Sequence, residues 1–177
     1  MFERWDNFYI LLGSAAGALI GLLFIVVTLT SGMDRDQALK GASRYMTPTV
    51  VQFTAVMLVS AIASAPEPGW LQRDALLVLS LVLLAWTLIN LWRMLLIPMG
   101  GGQATHWTDP WFYAAAPAVA YLALAIAGAK GPPLSVGALA VAILILGVRN
   151  AWDLITWIAP GRGEGSPTPP PESRGTP

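Results

Sequence analysis

The charged residues of this chain stand at the edges of five long uncharged stretches, and that spacing constrains its fold more than any other feature. Residues 7–33, 45–66, 75–92, 110–129 and 131–148 hold no Asp, Glu, Lys or Arg, over lengths of 27, 22, 18, 20 and 18 residues. A helix rises about 1.5 Å per residue, so about 20 residues cross a hydrocarbon core of about 30 Å. A backbone in lipid must satisfy its own hydrogen bonds, which makes these stretches α-helices. Alternation of the kind a membrane β-barrel needs is missing: Leu76-Leu77-Val78-Leu79 and Ala142-Ile143-Leu144-Ile145-Leu146 are apolar on both strand faces.

Composition agrees. Only 11% of 177 residues are charged, 10 basic against 10 acidic, while 55% are hydrophobic. A soluble domain carries about 25% charged residues. A cytosolic enzyme, a disordered protein and a nucleic-acid binder are therefore excluded as expectations, and the lipid bilayer becomes the first partner. The balanced charge supplies no field that would attract nucleic acid.

The fold expected is all-α and polytopic, with helices over roughly 7–31, 47–65, 75–97, 112–129 and 134–158, or four spans if the Ala-rich fourth, which holds Pro117, does not cross. Breakers mark these limits. Pro48 opens the second helix, Pro66 and Pro68-Gly69 close it, Pro98 and Gly100-Gly101-Gly102 close the third, and Pro132-Pro133 separate the last two. Residues 1–159 thus form one transmembrane domain. Residues 160–177, with six Pro and four Gly, read as a disordered tail. The first stretch exceeds a signal-peptide core and lacks a basic flank, so it reads as a retained helix.

With five spans the termini lie on opposite sides. Arg35, Lys40, Arg44, Arg93, Arg149 and Arg162 fall on the side of the C-terminus, against Arg4, Arg73 and Lys130 on the other. The expectation is a bacterial inner membrane with the N-terminus out and the C-terminus cytoplasmic. Asn90-Leu91-Trp92-Arg93 and Asn150-Ala151-Trp152-Asp153 end the third and fifth helices alike. That likeness fits a duplicated two-helix hairpin, and equally two ordinary interfacial anchors.

Gly13, Gly17 and Gly21 are spaced four apart and share one helix face, which also takes in Asp6 and Thr28. A surface without side chains lets another backbone approach closely, and in lipid such packing replaces the missing hydrophobic drive. The face suits a homo-oligomer, the smooth wall of a pore, or packing within the chain. Thr49, Gln52, Ser60 and Ser64 form a polar stripe on the second helix, and Ser80, Thr87 and Asn90 one on the third. Gln52, Ser60, Thr87 and Asn90 are candidate lining residues of a wet path, or interhelical hydrogen-bonding groups. Arg93, Arg149 and Asp153 intrude on the apolar frames near one interface. They are candidate mouth charges, or an anchoring ion pair between residues four apart.

No Asp, Glu, Lys or His falls at mid-membrane, which argues against a coupled carrier. His106 is the sole histidine and cysteine is absent, so one chain cannot build a transition-metal site from it with Asp109, and a catalytic triad would have to rely on this one loop histidine. Neither a cofactor nor an enzymatic activity is expected. The sequence favours an oligomeric passive channel or small-solute pore. The alternative is a non-catalytic scaffold or accessory subunit of a larger membrane complex, with another membrane protein as partner.

Overall fold

A computed structural model of the chain describes residues 5–30, 46–66, 68–96 and 111–158. The expected tail 160–177 and the loops holding His106, Arg35, Lys40 and Arg44 lie outside the described residues. Those residues form five helices and no strand: α1 (Asp6–Thr30), α2 (Thr47–Ala63), α3 (Gly69–Leu96), α4 (a π-helical turn Trp111–Ala115 continued as α-helix over Ala116–Lys130) and α5 (Pro133–Ile158).

The breakers act where they stand. Pro48 occupies the first turn of α2, where a missing N–H costs nothing. Pro117 stands in the first turn of the α-helical part of α4, but there a π-helical turn precedes it. A proline at 117 also cannot donate to the carbonyl of Tyr113 or of Phe112, four and five residues back, and the turn before it is wound as π-helix. Two boundaries differ from the sequence expectation. α3 begins at Gly69, six residues before 75, because Gln72 and Arg73 find backbone acceptors at the bundle end. Gln72 Nε2 donates to Ala65 O at 2.8 Å and to Ala63 O at 3.4 Å, and Arg73 Nη1 donates to Ala129 O at 3.2 Å. Polar residues at an interface thus extend a helix past its uncharged stretch. α2 ends at Ala63, with Ser64 as its cap.

Four helices, α1, α3, α4 and α5, are long and apolar enough to cross a membrane. α2 is shorter, 17 residues or about 26 Å. It is the inner helix, with Pro48, Thr49, Gln52, Phe53, Ala55, Val56, Val59, Ser60 and Ala63 all buried. α1 packs along α2 and α3 along α4, and α5 joins the two pairs by lying against α2 and α4. The core between them holds Tyr9, Val56, Val59, Leu76, Tyr121, Leu124, Val136 and Ile143. Leu11, Val78, Val119, Leu134 and Ile145 point outward and exposed, an apolar exterior suited to lipid. Trp70 at one end, and Trp92, Trp111 and Trp152 at the other, are 61–67% exposed. They sit where an aromatic belt meets the headgroups.

Four glycines bring the helices together. A β-carbon on Gly13 would lie 3.0 Å from Ser60 Cβ (α1 on α2), on Gly128 3.1 Å from Leu76 Cβ (α4 on α3), on Gly137 3.0 Å from Phe8 Cε1 (α5 on α1) and on Gly147 2.6 Å from Phe53 Cε1 (α5 on α2). Phe53 is fully buried and cannot swing aside. Gly147→Ala is therefore expected to destabilise the bundle by about 1–3 kcal/mol through overpacking. Gly21→Ala, whose new methyl would meet nothing within 4 Å, should be neutral or up to about 1 kcal/mol stabilising in monomeric detergent. Thermal melts followed by circular dichroism check both.

Candidate functional site

A hydrogen-bonded cluster of polar residues stands at the end of the bundle where α2 and α4 begin and α5 closes. Asn150 of α5 is fully buried there. Its Nδ2 donates to Gln52 Oε1 of α2 at 3.1 Å and to the Phe112 carbonyl in the π-turn at 3.2 Å. Phe112 O is one of the carbonyls that Pro117 leaves without a helical donor, so a side chain from a neighbouring helix supplies it. Tyr113 returns the contact by donating its hydroxyl to Asn150 O at 3.3 Å. Three helices thus share one amide centre, whose hydrogen bonds are strengthened by the low dielectric of the bundle interior.

Arg149 extends this centre toward the interface. Its guanidinium carbon lies 3.3 Å from the centroid of the Phe112 ring, Nη1 donates to Asn150 Oδ1 at 3.4 Å, and Nη1 stands 3.0 Å from Asp153 Oδ2. Both charged side chains are about 40% exposed, so the pair sits at the bundle surface and not in its interior. The expected i, i+4 pairing is present. Arg93, the third candidate mouth charge, is exposed near the end of α3, which α4 separates from α5. Arg93 and the Arg149–Asp153 pair do not converge on a common opening among the described residues.

The other candidates divide. Gln52 and Ser60 are buried in the interior, 2% and 3% exposed. Thr87 Oγ1 donates to Leu83 O at 2.8 Å, Asn90 Nδ2 to Trp86 O at 3.0 Å and Ser80 Oγ to Leu76 O at 2.6 Å, each to the carbonyl four residues back. The α3 stripe is thereby satisfied by its own helix. The two Asn-x-Trp ends occupy unlike settings: Asn150 ties three helices together, whereas Asn90 bonds to its own helix and is only partly buried.

The glycine stripe divides as well. Gly13 is covered by Ser60, but a β-carbon on Gly17 or Gly21 meets nothing within 4 Å. With exposed Ser14 and Ala18 beside them, they leave a shallow, small-residue face on α1. Thr28, farther along, donates to Phe24 O at 2.9 Å.

Sequence reasoning found Gln52 but missed its partner Asn150, which it placed only in a repeat. Half of the signal was available: Pro117 implies an orphaned carbonyl, but Asn90 and Asn150 are both amides near the end of an apolar helix. No protein-family model, curated protein or solved structure matches this chain. What fold and composition define is an all-α polytopic membrane protein.

Asn150→Leu strands Gln52 Oε1 and Phe112 O together. A loss of about 1–3 kcal/mol is expected. Gln52→Leu added to Asn150→Leu should cost less than the sum of the two single changes, with a coupling of about 0.6–1.7 kcal/mol by double-mutant cycle.

Proposed function

We propose that the protein is a non-catalytic subunit that associates laterally, through the Gly17–Gly21 face of α1, with a larger membrane complex. One observation carries this reading: the glycine stripe continues beyond the contact it makes inside the chain. Gly13 is occupied by Ser60, while Gly17 and Gly21 have open space in front of them. A small-residue face at membrane depth lets a second helix approach closely enough for dispersion and Cα–H···O contacts. The paired Arg149–Asp153 and the self-bonded α3 hydroxyls favour this reading over a conducting one.

The second reading is an oligomeric passive channel. In its favour stand Gln52 Nε2 and Ser60 Oγ, buried without a protein partner on the stripe expected to line a path. The proposed location is a bacterial inner membrane, with the N-terminus outside and the C-terminus cytoplasmic. Its support is the excess of Arg and Lys on the side of the C-terminus over Arg4, Arg73 and Lys130 on the other.

Affinity purification of the full chain from native membranes in mild detergent is expected to recover a stoichiometric partner. Gly17→Leu with Gly21→Leu should abolish that recovery while leaving the monomer folded, since a β-carbon at either position has open space in front of it. Recovery of self-copies alone, with ion or solute flux in liposomes, would move the assignment to the channel. A topology reporter fused at Pro177 should read cytoplasm.

A further inference from the structure

Among the described residues, five buried side-chain atoms have no hydrogen-bond partner: Gln52 Nε2, Ser60 Oγ, Ser64 Oγ, Gln72 Oε1 and Tyr121 Oη. Three belong to α2 or its cap. Gln72 reaches the same cap from α3, because its Nε2 binds the carbonyls of Ala63 and Ala65 on either side of Ser64. Ser64 follows Gln52 by twelve helical steps, about 18 Å along the helix. Tyr121 lies halfway along α4 and is 1% exposed. The five atoms are therefore spread over much of the depth of the bundle.

Their chemistry narrows what can meet them. Lipid offers neither donors nor acceptors, and a buried unmet polar group is costly. The two serines had a local remedy, the carbonyl four residues back that Ser80 and Thr87 use at 2.6 and 2.8 Å, yet they do not take it. The Tyr121 hydroxyl is carried far from its own backbone and depends on whatever stands opposite. The set contains an amide donor, an amide acceptor and three hydroxyls that serve as both. A ligand meeting all of them must be small and both donor and acceptor.

We infer that these atoms are internal water sites, strung along the inner helix α2 from the amide centre at Gln52 to the Ser64–Gln72 turn, with Tyr121 at mid-depth. Buried waters of this kind hold polar groups that the protein leaves unmet. Hydration of the interior does not depend on what docks on α1.

The sign of a stability change tests this. In a dry core, deleting an unmet hydroxyl removes a penalty, so the melting temperature rises or stays level. Where the hydroxyl holds a water, the deletion leaves that water short of a partner and the melting temperature falls. Tyr121→Phe and Ser60→Ala are each expected to lower it by about 2–4 °C in detergent. An unchanged or raised value in either variant overturns the inference. The wild-type protein gives a second readout that needs no variant. A radiolytic pulse, which generates hydroxyl radicals from bound water, should oxidise the Tyr121 ring despite its burial. An unlabelled Tyr121 likewise overturns it.

Discussion

Helices in lipid gain nothing from hydrophobic association, because the tails around them are as apolar as the partner helix. What holds this bundle together must then be close approach and polar pairing, and both are visible at named residues. Gly13, Gly128, Gly137 and Gly147 each face a side-chain atom of a neighbouring helix at a distance that a β-carbon would not tolerate comfortably. Between them they serve four contacts: α1–α2, α3–α4, α1–α5 and α2–α5. Large residues such as Leu11 and Val119 can face outward because the inward contacts are made by small ones.

Polar pairing concentrates on α2. Its 17 residues fall short of the about 20 that a free-standing span needs. It keeps Thr49, Gln52 and Ser60 in its interior face all the same. Part of the cost of this helix is offset from outside. Asn150 meets Gln52, Gln72 caps the Ala63 and Ala65 carbonyls, and the longer helices shield its sides. The same Asn150 relieves the π-turn before Pro117. A single amide therefore answers two local problems in two different helices. Its loss should be felt in both, and a leucine of similar size could not replace it.

The spans were legible in the sequence because they follow from a one-dimensional quantity, the distance between charges. Five helices at nearly the expected positions result from that spacing and from Pro48, Pro66 and Pro132-Pro133. The α3 start was not legible. Gln72 and Arg73 read as loop, and it is their acceptors Ala65 O and Ala129 O, brought near by the fold, that let the helix include them. Pairing across helices was legible in part. Gln52 stood out as a polar residue in an apolar frame, whereas Asn150 was hidden by its likeness to Asn90. Nothing local separates the two asparagines; they differ only in which helices stand opposite.

The glycine stripe carries the same lesson in angular form. Residues four apart advance by about 40° around a helix of 3.6 residues per turn, so Gly13, Gly17 and Gly21 wind across about 80° of the α1 surface. α2 lies against Ala16 and Gly13 on one side of that arc, and Leu23 carries the same contact on to Phe53 near the far end of α1. The stripe meanwhile turns away: Gly13 is covered, Gly17 is half-buried with nothing in front of it, and Gly21 is exposed. Had the three glycines existed only for α2, spacings of three and four in alternation would have kept them on its line. A strict four-residue spacing instead follows the i, i+4 ridge, the line along which a helix crossing at a right-handed angle makes its contacts. The sequence spacing and the uncovered space agree on that direction, and the small residues Ser14 and Ala18 widen the same side of α1.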